Sequence, residues 1–149
     1  MKKFKIPKII RRIELSEYAP EYEEHFFDVW VNPSREERGA FSANIREIER
    51  LKSRIIKLGT KPKDAPDDWK PNEKEIDNAT SDIKRLDEKI LEWWAYIWSQ
   101  GDDKKNHCSV DEVREFMEEC EESDLGLWMF VTRNTSQMIF DHAAGVKKK

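Results

Sequence analysis

The 149 residues carry a net charge of −4 and are 39% charged against 38% hydrophobic, a charged share well above the roughly 25% of an average globular domain. Six Trp, seven Phe and three Tyr exclude a disordered composition, which is poor in aromatics. No run of about 18 apolar residues marks a membrane span, and two cysteines without a CxxC pair exclude a disulfide scaffold and a four-cysteine zinc site.

The N-terminal MKKFKIPKIIRR is basic but has neither a long apolar stretch nor a small-residue cleavage site, so a cytoplasmic protein without a secretory signal is expected. Residues 8–32 read as a β-hairpin. Ile9, Ile13 and Leu15, then Phe27, Val29 and Val31, fall on odd positions in partial period-2 alternation, while Phe26, Asp28 and Trp30 fall on the other face. The intervening SEYAPEYEE is a wide acidic turn. A lone hairpin is marginal in water, so helices must cover its apolar face.

Ser34-x-x-Glu37 after Asn32-Pro33 is a capping-box pattern. It opens a helix with a single narrow stripe, Phe41, Ile45, Ile48, Leu51, Ile55 and Leu58, and Gly59 is placed as its C-cap. A connector with Pro62, Pro66 and Pro71 leads to Asn72-x-x-Glu75 and a second helix, whose seam is Ile76, Ala79, Ile83, Leu86, Ile90, Trp93 and Ile97. Together, residues 34–100 are expected to form an antiparallel helical hairpin with arms of about 38 Å at 1.5 Å per residue. Towards its end, ILEWWAYIW is apolar nearly all round, as in a helix entering a packed body. Two shorter helices follow within 109–143. One is capped by Ser109-x-x-Glu112, with Val110, Val113, Phe116, Met117 and Cys120 inward. The other opens at Asp124, with Leu127, Trp128, Val131, Thr135, Met138, Ile139 and His142 on or near one face. The expected architecture is a mainly α (α+β) single domain over 1–149, with a β-hairpin packed on about four helices. Its basic ends, 1–8 and 146–149, are read as flexible tails.

No constellation points to catalysis. His107, Cys108, Cys120 and His142 lack the close ligand pair of a zinc site, so no metal and no cofactor are expected. A Cys–His nucleophile pair lacks an orienting third group, and five scattered glycines form no phosphate loop. Asp111, Glu112, Glu115, Glu118, Glu119, Glu121, Glu122 and Asp124 oppose Arg114 alone. They would repel phosphates, so nucleic acid is not an expected partner despite Arg133, Asn134 and Gln137. A protein partner is. Trp is favoured at interface centres, and Trp94, Trp98, Trp128, Met129 and Trp30 are the candidate partner-binding residues; the competing reading, which carries more weight, is that the aromatic cluster fills the junction between hairpin and helices.

Two stretches, IELSEYAPEYEEHFFDVWVNPS and LEWWAYIWSQGDD followed by SVDEVREFMEE and DLGLWMFV, resemble tail assembly chaperones of long-tailed bacteriophages. In that family a short hairpin ends in a W-V-x-x-NP-like segment, and a Trp-containing helix ends in an acidic, Gly-containing turn before a "DEV" helix. The resemblance touches about 9–33 and 92–140, whereas Ser34 to Ile90 departs from it as an expansion. It implies a small cytoplasmic protein that shields hydrophobic helices of the tape measure protein until tail tube subunits replace it. The competing expectation is a helical structural or adaptor protein, such as a virion component. That protein would use 34–100 for self-association as a homo-oligomer or for partner binding.

Overall fold

The computed structural model describes residues 3–101 and 108–145. It is mainly helical with one antiparallel hairpin, the α+β class expected. Strands β1 (Ile10–Glu14) and β2 (Phe26–Trp30) pair antiparallel with Arg12 opposite Asp28 and Ile13 opposite Phe27. Helices α1 (Arg35–Gly59), α2 (Glu73–Gln100), α3 (Val110–Ser123) and α4 (Leu125–Ala143) follow. The expected lysine tail 146–149 and His107 lie outside the described residues.

The chain forms two compact units, one of Met1–Ser34 with Leu91–Lys149 and one of Arg35–Ile90. The division falls inside α2, between Ile90 and Leu91.

In the Arg35–Ile90 unit, α1 runs out and the first part of α2 runs back. Ile48 and Leu51 are buried with Ala79 and Leu86, and Ile55, Ile83 and Ile90 complete the seam. Arg54 lies 3.8 Å from Glu75 at the end of the seam nearer the α1–α2 connector. Such a seam buries one stripe per helix and leaves the remaining circumference to charges, as the composition requires. Asn72 Oδ1 accepts the Glu75 N–H at 3.1 Å, satisfying one free donor of the first turn of α2. Gly59 is not the left-handed cap that its position suggested. Gly145 is the one glycine with positive φ among the described residues. At the end of α1 the chain is instead closed by Thr60, whose hydroxyl donates to the Ile56 carbonyl at 2.6 Å.

The other unit has the mixed core. Ile13, Leu15, Val29 and Val31 are buried on the inner face of the hairpin, together with Leu91, Trp94, Ile97 and Trp98 of α2, Val113 and Cys120 of α3, and Leu127, Val131 and Ile139 of α4. The opposite face of the hairpin is not simply solvated. Asp28 is buried, held by the Arg12 guanidinium at 2.9 and 3.2 Å, and Arg12 also lies over the Phe26 ring at 3.6 Å. Gly101 ends α2 where a side chain has no room: a Cβ there would sit 2.8 Å from the Asp28 carbonyl carbon and oxygen. Ser109 and Glu112 form the reciprocal capping box of α3.

Candidate protein-binding surface

Five of the six tryptophans belong to the mixed unit, and α2 delivers three of them through the run Trp93, Trp94 and Trp98. Trp98 is fully buried at its centre. It stacks on Trp94 at 5.5 Å, meets Phe27 at 4.8 Å and stands edge-on to Trp128 at 6.2 Å. Phe116 bridges Phe27 and Trp128, at 5.2 and 5.9 Å. The Trp98 indole N–H donates to Thr135 Oγ1 at 3.1 Å, and that hydroxyl donates in turn to the Val131 carbonyl at 2.8 Å. A buried indole N–H without an acceptor would cost more than the bond itself supplies, so Thr135 is the polar residue this core requires.

This geometry corrects the expectation that Trp94 and Trp98 offer an apolar surface. Both are buried, because the all-round apolar end of α2 is enclosed by the hairpin, α3 and α4. Trp128 and Trp30 are half-buried. Trp30 is further fixed by its N–H to Asn32 Oδ1 at 2.8 Å, by Lys8 above its ring at 5.1 Å and by the edge of Tyr96 at 5.4 Å. Of the five candidates only Met129 is exposed.

Met129 belongs to a surface that its partners on α4 define. Leu125, Met129, Thr132, Ser136 and Phe140 recur at spacings of 4, 3, 4 and 4, which places them along one side of the helix. Leu125 is 54% exposed, Phe140 44% and Met129 37%. The buried side of the same helix, Leu127, Val131, Thr135 and Ile139, packs inward. α4 thus exposes Leu125, Met129 and Phe140 on a second side, with half-buried Thr132 and Ser136 between them and exposed Arg133 beside them. It carries only Arg133, Asp141 and His142 as ionisable groups over 19 residues, in a chain that is 39% charged. Leu125 and Phe140 were missed because they lie off the inner stripe; the scarcity of charge across 125–143 is the signal that could have found them. His142, placed near the inner face by spacing, is exposed.

The start of this helix is pinned by a cluster that sequence reasoning also missed. Asp124 accepts the hydroxyl protons of Tyr18 and Tyr22, each at 2.6 Å, and caps α4 through the Leu127 N–H at 3.3 Å. The two tyrosines sit on the 3-10 turns of the hairpin connection, so one carboxylate ties that loop to the α3–α4 turn. The Tyr18 hydrogen bond, then that of Tyr22, holds the Asp124 carboxyl below its ordinary range. Reciprocally the Asp124 hydrogen bond raises Tyr18 and pushes Tyr22 up to about 12. Beside this turn, burial and then the Asp124 charge push the Cys120 thiol up to about 11, so it is protonated at neutral pH. A protonated thiol is a poor nucleophile and metal ligand. Among the described residues no three of His, Cys, Asp or Glu gather as a metal-binding group, and no helix is long and apolar enough to cross a membrane.

The helix that precedes α4 is strongly acidic at its end. Glu118, Glu119, Glu121 and Glu122 are exposed on the last two turns of α3, which lead directly through Asp124 into Leu125. Comparisons with protein-family models, curated proteins and solved structures return no match.

Proposed function

We propose that the chain is a phage or prophage tail assembly protein, a cytoplasmic chaperone that binds hydrophobic helices of the tape measure protein without any catalytic group or cofactor. The observation that carries this reading is the outer side of α4, an exposed apolar and nearly uncharged strip on a highly charged chain. A strip of this kind suits an amphipathic or wholly apolar helix laid alongside it, anchored by residues three to four apart. The buried Trp98 cluster serves as its rigid backing, since an interface costs less entropy when its platform is already ordered. The chaperone class comes from the resemblance. The two resembling stretches lie far apart in sequence and belong to one compact unit, while the departing stretch corresponds to the separate Arg35–Ile90 unit, as an expansion would.

A pull-down with tape measure fragments tests this reading. Wild-type protein retains an apolar helical fragment, and Leu125→Glu with Phe140→Glu lowers retention by at least about tenfold, as expected for anchors at an interface centre. Retention unchanged in that variant refutes the surface; no retention by wild type refutes the chaperone. The adaptor reading has its own supporting observation, the exposure of Ile45 and Ile56 on α1. It predicts an assembly abolished by Ile56→Glu and indifferent to α4.

A further inference from the structure

We propose that, when no client occupies it, the outer side of α4 is covered by the basic N-terminal segment of a second copy of this chain. The inference rests on the preceding reading only for the word client; the pairing of two copies requires none.

The first ground is the segment itself. Phe4 and Ile6 are 83% and 71% exposed, the most exposed large apolar side chains described. Two residues apart, they would share one side of the segment if it pairs in an extended conformation, with Lys3 and Lys5 alternating with them. The segment is also presented from a fixed point. Asn32 donates to the Pro7 carbonyl at 2.9 Å and accepts the Ile9 N–H at 2.8 Å, and Lys8 is held to its own copy by Gln100. Lys3 to Ile6 therefore extend from an anchored Pro7, with a reach of about 13 Å at roughly 3.3 Å per residue. That length spans two to three helical turns, enough to run from Met129 to Leu125 and beyond.

Charge supplies the second ground. Lys2, Lys3 and Lys5 have no acid among them up to residue 13, whereas α3 offers seven acids against Arg114. Its exposed Glu118, Glu119, Glu121 and Glu122 lie on the last two turns of α3, which lead through Asp124 into Leu125. Apolar anchors among lysines meet a helix side whose start follows an acidic helix end, and such complementarity sets register and accelerates encounter more than it adds affinity. In the single copy both partners of this match stay exposed, so its own segment does not cover its own helix. The arrangement that satisfies both is reciprocal, each copy giving one segment and receiving one, as a two-fold interface requires.

Sedimentation velocity on the full chain tests the proposal without any client. Wild type forms a concentration-dependent dimer, weakened when salt rises from about 50 mM to about 500 mM because the charge match is screened. Phe4→Glu with Ile6→Glu, and separately Leu125→Glu with Phe140→Glu, raise the dissociation constant by at least about tenfold. All four positions are exposed, and circular dichroism verifies that each variant keeps its helices. The decisive measurement mixes the two variants. One intact segment then meets one intact helix, and a heterodimer forms at a concentration where each variant alone stays monomeric. A wild type monomeric throughout, a dimer indifferent to Phe4 and Ile6, or no heterodimer in the mixture overturns the proposal. A dimer lost only in Ile56→Glu assigns self-association to α1 and overturns it equally.

Discussion

Replacing Thr135 by Val probes the centre of the mixed unit with almost no change in shape. The hydroxyl is fully buried, accepts the Trp98 indole N–H at 3.1 Å and donates to the Val131 carbonyl at 2.8 Å. In the variant the carbonyl keeps its ordinary helical partner, the backbone N–H four residues on. The indole N–H has no such reserve. An unsatisfied buried donor costs about 1–3 kcal/mol, and the added methyl recovers only a fraction of one buried CH₂, worth about 0.8 kcal/mol. A net loss of about 1–2 kcal/mol follows, near 2–8 °C in melting temperature for a domain of this size. Tryptophan fluorescence is the suitable assay because Trp30, Trp93, Trp94, Trp98 and Trp128 all belong to this unit and only Trp69 to the other. The control is Trp98→Phe, which removes the donor while leaving the Thr135 hydroxyl its carbonyl. In that background Thr135→Val costs little, giving a coupling of about 1 kcal/mol between the two sites. Equal costs in both backgrounds would show that the hydrogen bond contributes nothing, and the reasoning fails.

The Asp124 cluster makes stability depend on pH at both extremes. Its carboxyl is held below the ordinary value, so its contribution is present above the unfolded value of about 3.9 and is lost as pH falls through the lower folded value. The tyrosines are shifted up, so theirs is intact below about pH 10 and disappears as pH rises towards 12. Absorbance titration should show Tyr22 ionising near 12 and Tyr18 also late; normal titration of both, or late titration surviving Asp124→Asn, refutes the cluster. Glycine replacements should separate by local space. Gly101→Ala drives a Cβ into the Asp28 backbone and costs about 1–3 kcal/mol, whereas Gly39→Ala, with nothing within 4 Å inside α1, gains about 0.5–1 kcal/mol. Chemical denaturation measures both, and a neutral Gly101→Ala contradicts the close packing. Finally, Cys120 should react with a disulfide reagent only on unfolding, being buried with its thiol pushed up to about 11. A Cys108→Ser variant that is labelled at once in the native state refutes this.

Element boundaries were legible because the forces that set them act over three or four residues. Asn72, Ser109 and Asp124 cap the helices that their side chains precede. The α1 and α2 stripes identified Ile48, Leu51, Ala79 and Leu86 as a seam, since spacing alone decides which residues share a helical side. Gly59 shows the limit even of local rules. A glycine permits a left-handed cap but does not compel one, and the Thr60 hydroxyl closes the helix instead.

Two of the five binding candidates, Trp94 and Trp98, lie off the surface for a different reason. Residue type marked Trp94 and Trp98 as both good core and good interface residues, and the same large apolar rings serve either end. Only the enclosure of α2 by the hairpin, α3 and α4 decided that these two are core. The same assembly left Leu125, Met129 and Phe140 outside, because a helix with apolar residues on two sides can bury only the side that meets neighbours. Asp124 carried its capping role in sequence, but its bonds to Tyr18 and Tyr22 join residues more than a hundred positions away. By itself, then, the sequence determined helices, caps, seams and the excess of charge, all products of short-range stereochemistry and periodicity. The tertiary structure decided which apolar surface remained over, because burial is settled by what packs against a face and not by the face alone.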